Sequence, residues 1–293
     1  FIEEIIYVNE VGKSMIDKAK PSLIFGLDES SGLAKPIYKY AQKKGVPVIY
    51  LQHGVLSDRE PTCFRNSYIN EFLVYGPKSK KFFVDRSIEN ITVTGWPKLD
   101  EAVKVRNENE IRKKLNISNK KIILFTSAVA RQINFPIFSA LIESLSALNE
   151  FQIIVKRHPG DEILEEEYYN YAKQFNVEVK ILNFDLYDLF FISDIIVSYN
   201  SSTALEALVF NKPVISLNLT GAKEDFPYVG SGACYGVFKR EDLITAIKEI
   251  LNNEKVRKSL QLASKKLIED LFYKIDGKST ERVIDVIEKY KFK

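Results

Sequence analysis

An α/β protein with two open parallel sheets is the architecture this sequence predicts, on three observations. Short apolar runs rich in Ile and Val recur along the chain without strict alternation, as strands covered on both faces require. Stretches of helical period lie between them, and a strand–helix–strand rhythm selects parallel sheets. With 293 residues there is room for two domains of ordinary size.

In the first half the strand candidates are SLIFGLD (22–28), VPVIYLQ (46–52), EFLVYG (71–76) and ITVTG (91–95). The charged segment KLDEAVKVRNENEIRKKLNISNKK (98–121) then breaks the rhythm and marks a boundary. Beyond it come KIILFTS (121–127), FQIIVKR (151–157), VEVKIL (177–182), DIIVSY (194–199) and PVISLN (213–218). The intervening helices include IFSALIESLSAL (137–148), LEEEYYNYAKQF (164–175) and STALEALVF (202–210). The basic stretch EKVRKSLQLASKKLIED (254–270) reads as a solvated helix with an apolar stripe, a membrane-surface role being the alternative. DGKST (276–280) starts a last helix, with Val283, Ile284 and Ile287 expected on one face.

The expected organisation is a Rossmann-like domain over 1–97, a linker over 98–118, a complete Rossmann-like domain over 119–270 and a helical end over 271–293. The first domain holds about half the usual strands. The chain also opens on Phe1 inside a helix, so the first domain is expected to be truncated, with natural residues preceding it.

Composition narrows the function classes. Forty-two cations against 39 anions give a net charge of +3, so an anion site must be built from a few placed groups, and nothing favours nucleic acid. Cys63 and Cys234 are far apart and lack zinc spacing, which suits two free thiols in a reducing cytoplasm. No apolar run reaches the roughly 18 residues of a membrane span, and no signal peptide is evident.

Ligands of parallel sheets bind where strands end and helices begin. Both histidines of the chain stand at such ends, His53 in YLQHG and His158 in VKRHPG. Flanked by Lys156 and Arg157, His158 could donate a hydrogen bond to a diphosphate or bond only to its own loop. His53 suits a general base, since imidazole exchanges protons near neutral pH, or a packed loop residue. Beside it, Gly54 permits a sharp turn or a close ligand. Ser201, Ser202 and Thr203 lie at a helix start, where hydroxyls cap the helix or meet an anion. Glu206, one turn in, is a ribose ligand or an ordinary exposed glutamate. Asp28 and Glu29 in LDESSG would orient an acceptor or cap a helix. The working expectation is that the two histidines face each other across a cleft.

The ordered set YLQHG, VYGP (74–77), VTGWPKLD (93–100), VKRHP, DIIVSYNSSTALEALVFNKPVISLN and DGKST resembles nucleotide-sugar-dependent transferases of the GT-B fold over about residues 20–290. The similarity is to the capsule and teichoic-acid group, including CDP-glycerol glycerophosphotransferases and polysialyltransferase-like enzymes. It implies two Rossmann-like domains with the final helix crossing back to the first. It also implies donor phosphate on His158 and Ser201–Ser202, ribose on Glu206 and His53 as the base. The nucleotide would lie against Thr126, Ser127, Arg157, His158 and 201–203, with Asp28 and Glu29 as further acceptor-side catalytic groups.

The implied reaction is metal-independent glycosyl or glycerophosphoryl transfer by single, inverting displacement, in surface or capsule polysaccharide synthesis. No cofactor is expected beyond a CDP, CMP or UDP-type donor, and the partner is a glycan or lipid-linked acceptor. The expected location is the cytoplasm, with peripheral attachment to the inner membrane face an option. Gln52 departs from relatives that carry a cation before the HG. One rival is a UDP-N-acetylglucosamine 2-epimerase-like enzyme, although NLTGAKEDFPYVG (218–230) lacks the expected arginine-containing segment. The other is a non-catalytic nucleotide-binding module of an assembly complex.

Overall fold

The computed structural model describes residues 2–27, 34–56, 68–117, 119–224 and 226–291. They form two compact units, one of residues Phe1–Val103 with Glu269–Lys293 and one of Lys104–Ile268.

In chain order the first unit contributes α1 (Ile2–Ala19), β1 (Ile24–Gly26), α2 (Ala34–Lys43), β2 (Val48–Leu51), β3 (Glu71–Val74), α3 (Pro77–Val84), β4 (Ile91–Val93) and a 3-10 stretch, Pro97–Val103. The second unit continues with α4 (Glu108–Lys114), β5 (Lys121–Thr126), α5 (Arg131–Leu145), β6 (Phe151–Lys156), α6 (Glu165–Gln174), β7 (Val179–Ile181) and α7 (Leu186–Ile192). It ends with β8 (Ile195–Ser198), α8 (Ser202–Val209), β9 (Val214–Leu217), β10 (Tyr235–Val237), α9 (Leu243–Asn252) and most of α10 (Glu254–Leu271). Helix α11 (Ser279–Lys291) returns to the first unit. The segment read as a linker thus holds structure of both units, α4 being capped by Asn107, which accepts from the amides of Asn109 and Glu110.

The first unit is a parallel four-stranded sheet in the order β1-β2-β3-β4. The central strands β2 and β3 are largely apolar on both faces because both are covered, while the edge strands β1 and β4 are only partly buried. Tyr50, Phe72 and Val74 pack with Phe83 of α3, while Ile49 and Leu73 pack with Val283 and Val286 of α11. Ile287 and Tyr290 extend that second contact, so the buried stripe runs 283, 286, 287, 290 at helical spacing. Ile284, expected on this face, is 47% exposed instead, one residue and about 100° away from Val283.

The second unit is a six-stranded parallel sheet in the order β10-β9-β8-β5-β6-β7. Successive connections move outward from β5 in one direction and from β8 in the other. The crevice above the carboxyl ends of β5 and β8 is therefore the topological switch point, where such sheets bind ligands. Ile122, Ile123 and Leu124 of β5 are fully buried, and each such side chain contributes about 1.5–3 kcal/mol. One strand escaped the sequence reading: β10 is three residues with a central glycine, too short to register as an apolar run. Cys234 is buried, and burial pushes its thiol up, as an inert core cysteine requires. Cys63 lies outside the described residues. Among the described residues no helix is long and apolar enough to cross a membrane.

Candidate functional site

The switch point of the second unit gathers most of the residues singled out above. Thr126 at the end of β5 donates its hydroxyl to Ser198 at the end of β8 (2.9 Å), and both are buried. Ser127 continues the ladder by donating its amide to the Lys156 carbonyl (3.1 Å). Its hydroxyl accepts from the His158 amide (2.8 Å), which ties the end of β5 to the histidine turn. His158 is exposed, and its Nδ1 accepts from the Gly160 amide (3.0 Å). Neutral imidazole with one accepting nitrogen carries its proton on the other, so Nε2–H is the outward donor.

Beneath this turn lies a network that sequence reasoning did not find. The carboxylate of Asp161, wholly buried, accepts from Asn134 Nδ2 (2.9 Å), the Ile163 amide (3.0 Å) and the Tyr168 hydroxyl (2.8 Å). Burial, then Asp161, drives the Tyr168 phenol far above its ordinary value, so it stays a donor. Asn134 also holds both polar groups of Ala128, bracing the loop after β5.

Arg157 belongs to the same bracing. Its guanidinium donates to the Ile163 and Asp161 carbonyls (2.7 and 3.3 Å) and to Glu165 (3.2 Å), turned into its own loop. The expectation that it helps hold a nucleotide meets this geometry: a cation beside HP bonds first to the carbonyls that the Pro-Gly turn leaves unpaired. Lys156 is tied likewise to the Phe184 carbonyl (2.9 Å).

Helix α8 starts beside Ser198. Asn200 takes a left-handed φ of 44°, a conformation asparagine tolerates, and reverses the chain between strand and helix. Ser201 is the cap: its hydroxyl accepts from the Thr203 amide (3.2 Å) and its carbonyl from the Tyr228 hydroxyl (2.6 Å). The side chains of Ser202 and Thr203 are half-buried and make no hydrogen bond among the described residues. Of the two readings of this run, capping thus falls to Ser201, and two hydroxyls remain at the positive end of the helix.

Glu206 is not the exposed glutamate of one of its readings, being 1% exposed and accepting from the Tyr187 hydroxyl of α7 (2.8 Å). Burial and then Glu206 raise the Tyr187 phenol, while Arg106 opposes them. Arg106 itself pairs with Asp188 (3.0 Å) and lies over Phe210. The glutamate follows Ala204 and Leu205 on the core-facing side of α8, and that register buries it.

On the first unit, His53 is exposed at the end of β2 and makes no hydrogen bond among the described residues. Its turn is held by Gln52, 1% exposed, which accepts from the Tyr75 amide (3.0 Å) and donates to the Gly54 carbonyl (2.7 Å). Gly54 is not at a positive φ, and a Cβ there would meet nothing within 4 Å, so neither a strained turn nor tight packing demands glycine. Asp28 and Glu29 lie outside the described residues.

The motifs VTGWPKLD and DGKST meet each other. Asp100 caps α11 by accepting from the Ser279 and Thr280 amides (2.9 and 2.7 Å), and Arg282 donates to the Thr94 carbonyl (2.7 Å). Gly95 has φ +85°, and a Cβ there would stand 2.6 Å from Ser279 Oγ, so only glycine fits. Among the described residues no group of three or more His, Cys, Asp and Glu is gathered around a metal position.

Known proteins resemble this chain in sequence and in fold. The teichoic acid glycerol-phosphate primase of Bacillus subtilis (strain 168) is 28% identical over 205 residues, 62% of this chain. The matched stretch spans about half, 47%, of that relative's length. By structure, a putative UDP-N-acetylglucosamine 2-epimerase from Listeria monocytogenes superposes with a TM-score of 0.69 at 14% identity, covering 98% of this chain and 78% of the other. The wall teichoic acid polymerase TagF, soaked with CDPG, gives 0.65 at 18% identity, covering 92% and 72%. Likeness at these identities establishes the shared fold of two Rossmann-like units. The sequence profile of one family matches residues 79–289, well over half of the chain, from α3 through α11. The chain belongs to the CDP-Glycerol:Poly(glycerophosphate) glycerophosphotransferase family.

Proposed function

We propose that this protein transfers glycerol phosphate from CDP-glycerol to a hydroxyl of a glycerophosphate-bearing acceptor during synthesis of a surface polymer. The acceptor oxygen bonds to the phosphorus that carries glycerol. The bond from that phosphorus to the cytidylate oxygen breaks, CMP leaves with the electron pair, and the acceptor proton passes to a base. Family membership supports this donor. The observation that carries the site is the Gly160 amide on His158 Nδ1, which leaves Nε2–H as a fixed outward donor at the switch point.

In this reading His158 Nε2–H, the amino end of α8 and the hydroxyls of Ser202 and Thr203 stabilise the charge that grows on the departing phosphate. Such preorganised groups commonly supply the largest catalytic contribution. Thr126 and Ser127 fix the strand ends, Ser201 holds the helix start, and Arg157 with Asp161 braces the turn. Glu206 acts from within α8, through Tyr187, as a positioning residue. His53 takes the acceptor proton, with Asp28 and Glu29 as the other candidates for that step. The reaction calls for no cofactor besides the donor. Its partner is a glycan or lipid-linked acceptor, and its place is the cytoplasm at the inner membrane face.

The test is a thermal-shift panel of CDP, CMP, UDP, GDP and ADP, followed by release of CMP from CDP-glycerol with acceptor present. At a hundredfold excess over the dissociation constant, CDP should stabilise the protein by about 2.7 kcal/mol, a rise of several degrees. His158→Ala should abolish that rise, whereas His53→Ala should keep it and lower CMP release by about a hundredfold or more. A UDP-selective shift, or interconversion of a UDP-sugar without acceptor, would overturn the reading.

A further inference from the structure

A cavity of about 230 Å³ opens on the first unit beside the QHG turn. Val55 and Leu56, which directly follow His53 and Gly54, line one side, and Lys78, Ser79 and Phe82 of α3 line another. The amino end of α3 has no side-chain cap: Gly76 holds the cap position, and Pro77 carries no N–H. The Lys80 amide bonds back to the Gly76 carbonyl (3.0 Å). The amides of Lys78 and Ser79 make no hydrogen bond among the described residues, so two donors stand open at the positive end of the helix.

The second observation is Ser79 itself. It is only 5% exposed, lines the cavity, and its hydroxyl has no partner among the described residues. The residue is buried while its oxygen is not sealed from solvent, so the hydroxyl opens toward the cavity, where a ligand can meet it.

Charge selects the ligand. Lys81 is paired with Asp85 (2.8 Å), and Arg86 stacks on Phe82 (3.5 Å) while donating to its carbonyl (3.0 Å). The Lys78 ammonium has no ion pair among the described residues. Two amides, a hydroxyl and an ammonium at a helix start form a receptor for a tetrahedral oxyanion. A carboxylate also lines the cavity, that of Asp85, one to two turns on and paired with Lys81. Past the amino end the wall turns apolar at Phe82, Val55 and Leu56, which suits the carbon chain of a polyol.

We propose that the amino end of α3 binds a phosphate of the acceptor, next to the turn that carries His53. The site would select acceptors ending in polyol phosphate over uncharged glycans. This assignment rests on the glycerophosphate acceptor proposed above, and the test separates the two.

Amide shifts of the full chain would be followed during titration with glycerol 3-phosphate and, separately, inorganic phosphate. The Lys78 and Ser79 amides should move together, with glycerol 3-phosphate the tighter ligand. Ser79→Ala should weaken binding by about tenfold and Lys78→Ala by about threefold, with CDP affinity in calorimetry unchanged. Shifts scattered over surface lysines, or undiminished affinity in Ser79→Ala, would overturn the site. Equal affinity for both probes would overturn its assignment to the acceptor. Binding at α3 in a protein that ignores CDP would leave the site standing while the donor reading falls.

Discussion

The two histidine turns look alike in sequence and are built in opposite ways. In the second unit the His158 turn is cross-braced by ionic groups: Asp161, wholly buried, draws Asn134, Tyr168 and the Ile163 amide together, and Arg157 closes over the carbonyls. The imidazole is fixed as well, with its backbone N–H on Ser127 and its Nδ1 on Gly160. In the first unit one neutral amide, Gln52, holds the turn, and the His53 ring makes no hydrogen bond among the described residues. A ring whose tautomer is set is a hydrogen-bond donor of constant character, as phosphate binding asks. A ring with both nitrogens open can take up a proton and release it, as base catalysis asks. Under the proposed function, the contrast in bracing matches a contrast in task.

Removing the brace of the second turn should have the largest effect. Asp161→Ala leaves Arg157, Asn134 and Tyr168 facing a buried gap, and breaking such a network costs about 3–5 kcal/mol. Urea denaturation of the full chain should show that loss, with CDP affinity falling in parallel. If stability drops and CDP still binds as before, the brace does not position His158. The matching change in the first unit is smaller. Gln52→Ala strands the Tyr75 amide and the Gly54 carbonyl, a loss of about 1–3 kcal/mol. It should lower CMP release while CDP binding stays intact. Equal effects of the two variants on CDP affinity would erase the distinction between the turns.

How much of this the sequence disclosed follows from the range of each interaction. All nine strands read from apolar runs exist, because a run covered on both faces is its own signal. Local rules also brought Thr126, Ser127, His158 and Ser201 to strand ends and a helix start. The sequence is least informative about partners set by the tertiary fold. Nothing near Glu206 reveals that Tyr187, on another helix, will claim its carboxylate. Nothing near Asn134 announces Asp161, 27 residues on. For Arg157 the partners are close, but they are backbone carbonyls of a turn whose shape the sequence leaves open. One signal was available: HPGD places an acid three residues after the histidine, where a turn can fold it underneath.

The joint between VTGWPKLD and DGKST tests the comparison at its mildest, since it is braced by a carboxylate as the second turn is, but near the surface. Burial disfavours the charge on Asp100, yet the Thr280 and Ser279 groups outweigh it and hold the carboxyl below its ordinary value. A carboxyl whose folded value is depressed binds fewer protons than in the unfolded chain. It therefore stabilises the fold above the unfolded value, near 4, and loses that contribution as pH falls through the lower folded value. Asp100→Asn removes the charge but keeps an accepting oxygen at the start of α11, so about 1 kcal/mol should be lost at pH 7. As pH falls through that depressed value the wild-type carboxyl is itself protonated, and the two proteins should converge. Parallel urea curves at pH 7 and at successively more acidic pH would measure this. A gap that stays constant would mean that Asp100 acts by shape alone, and that charge matters as a brace only where, as at Asp161, it is taken wholly out of water.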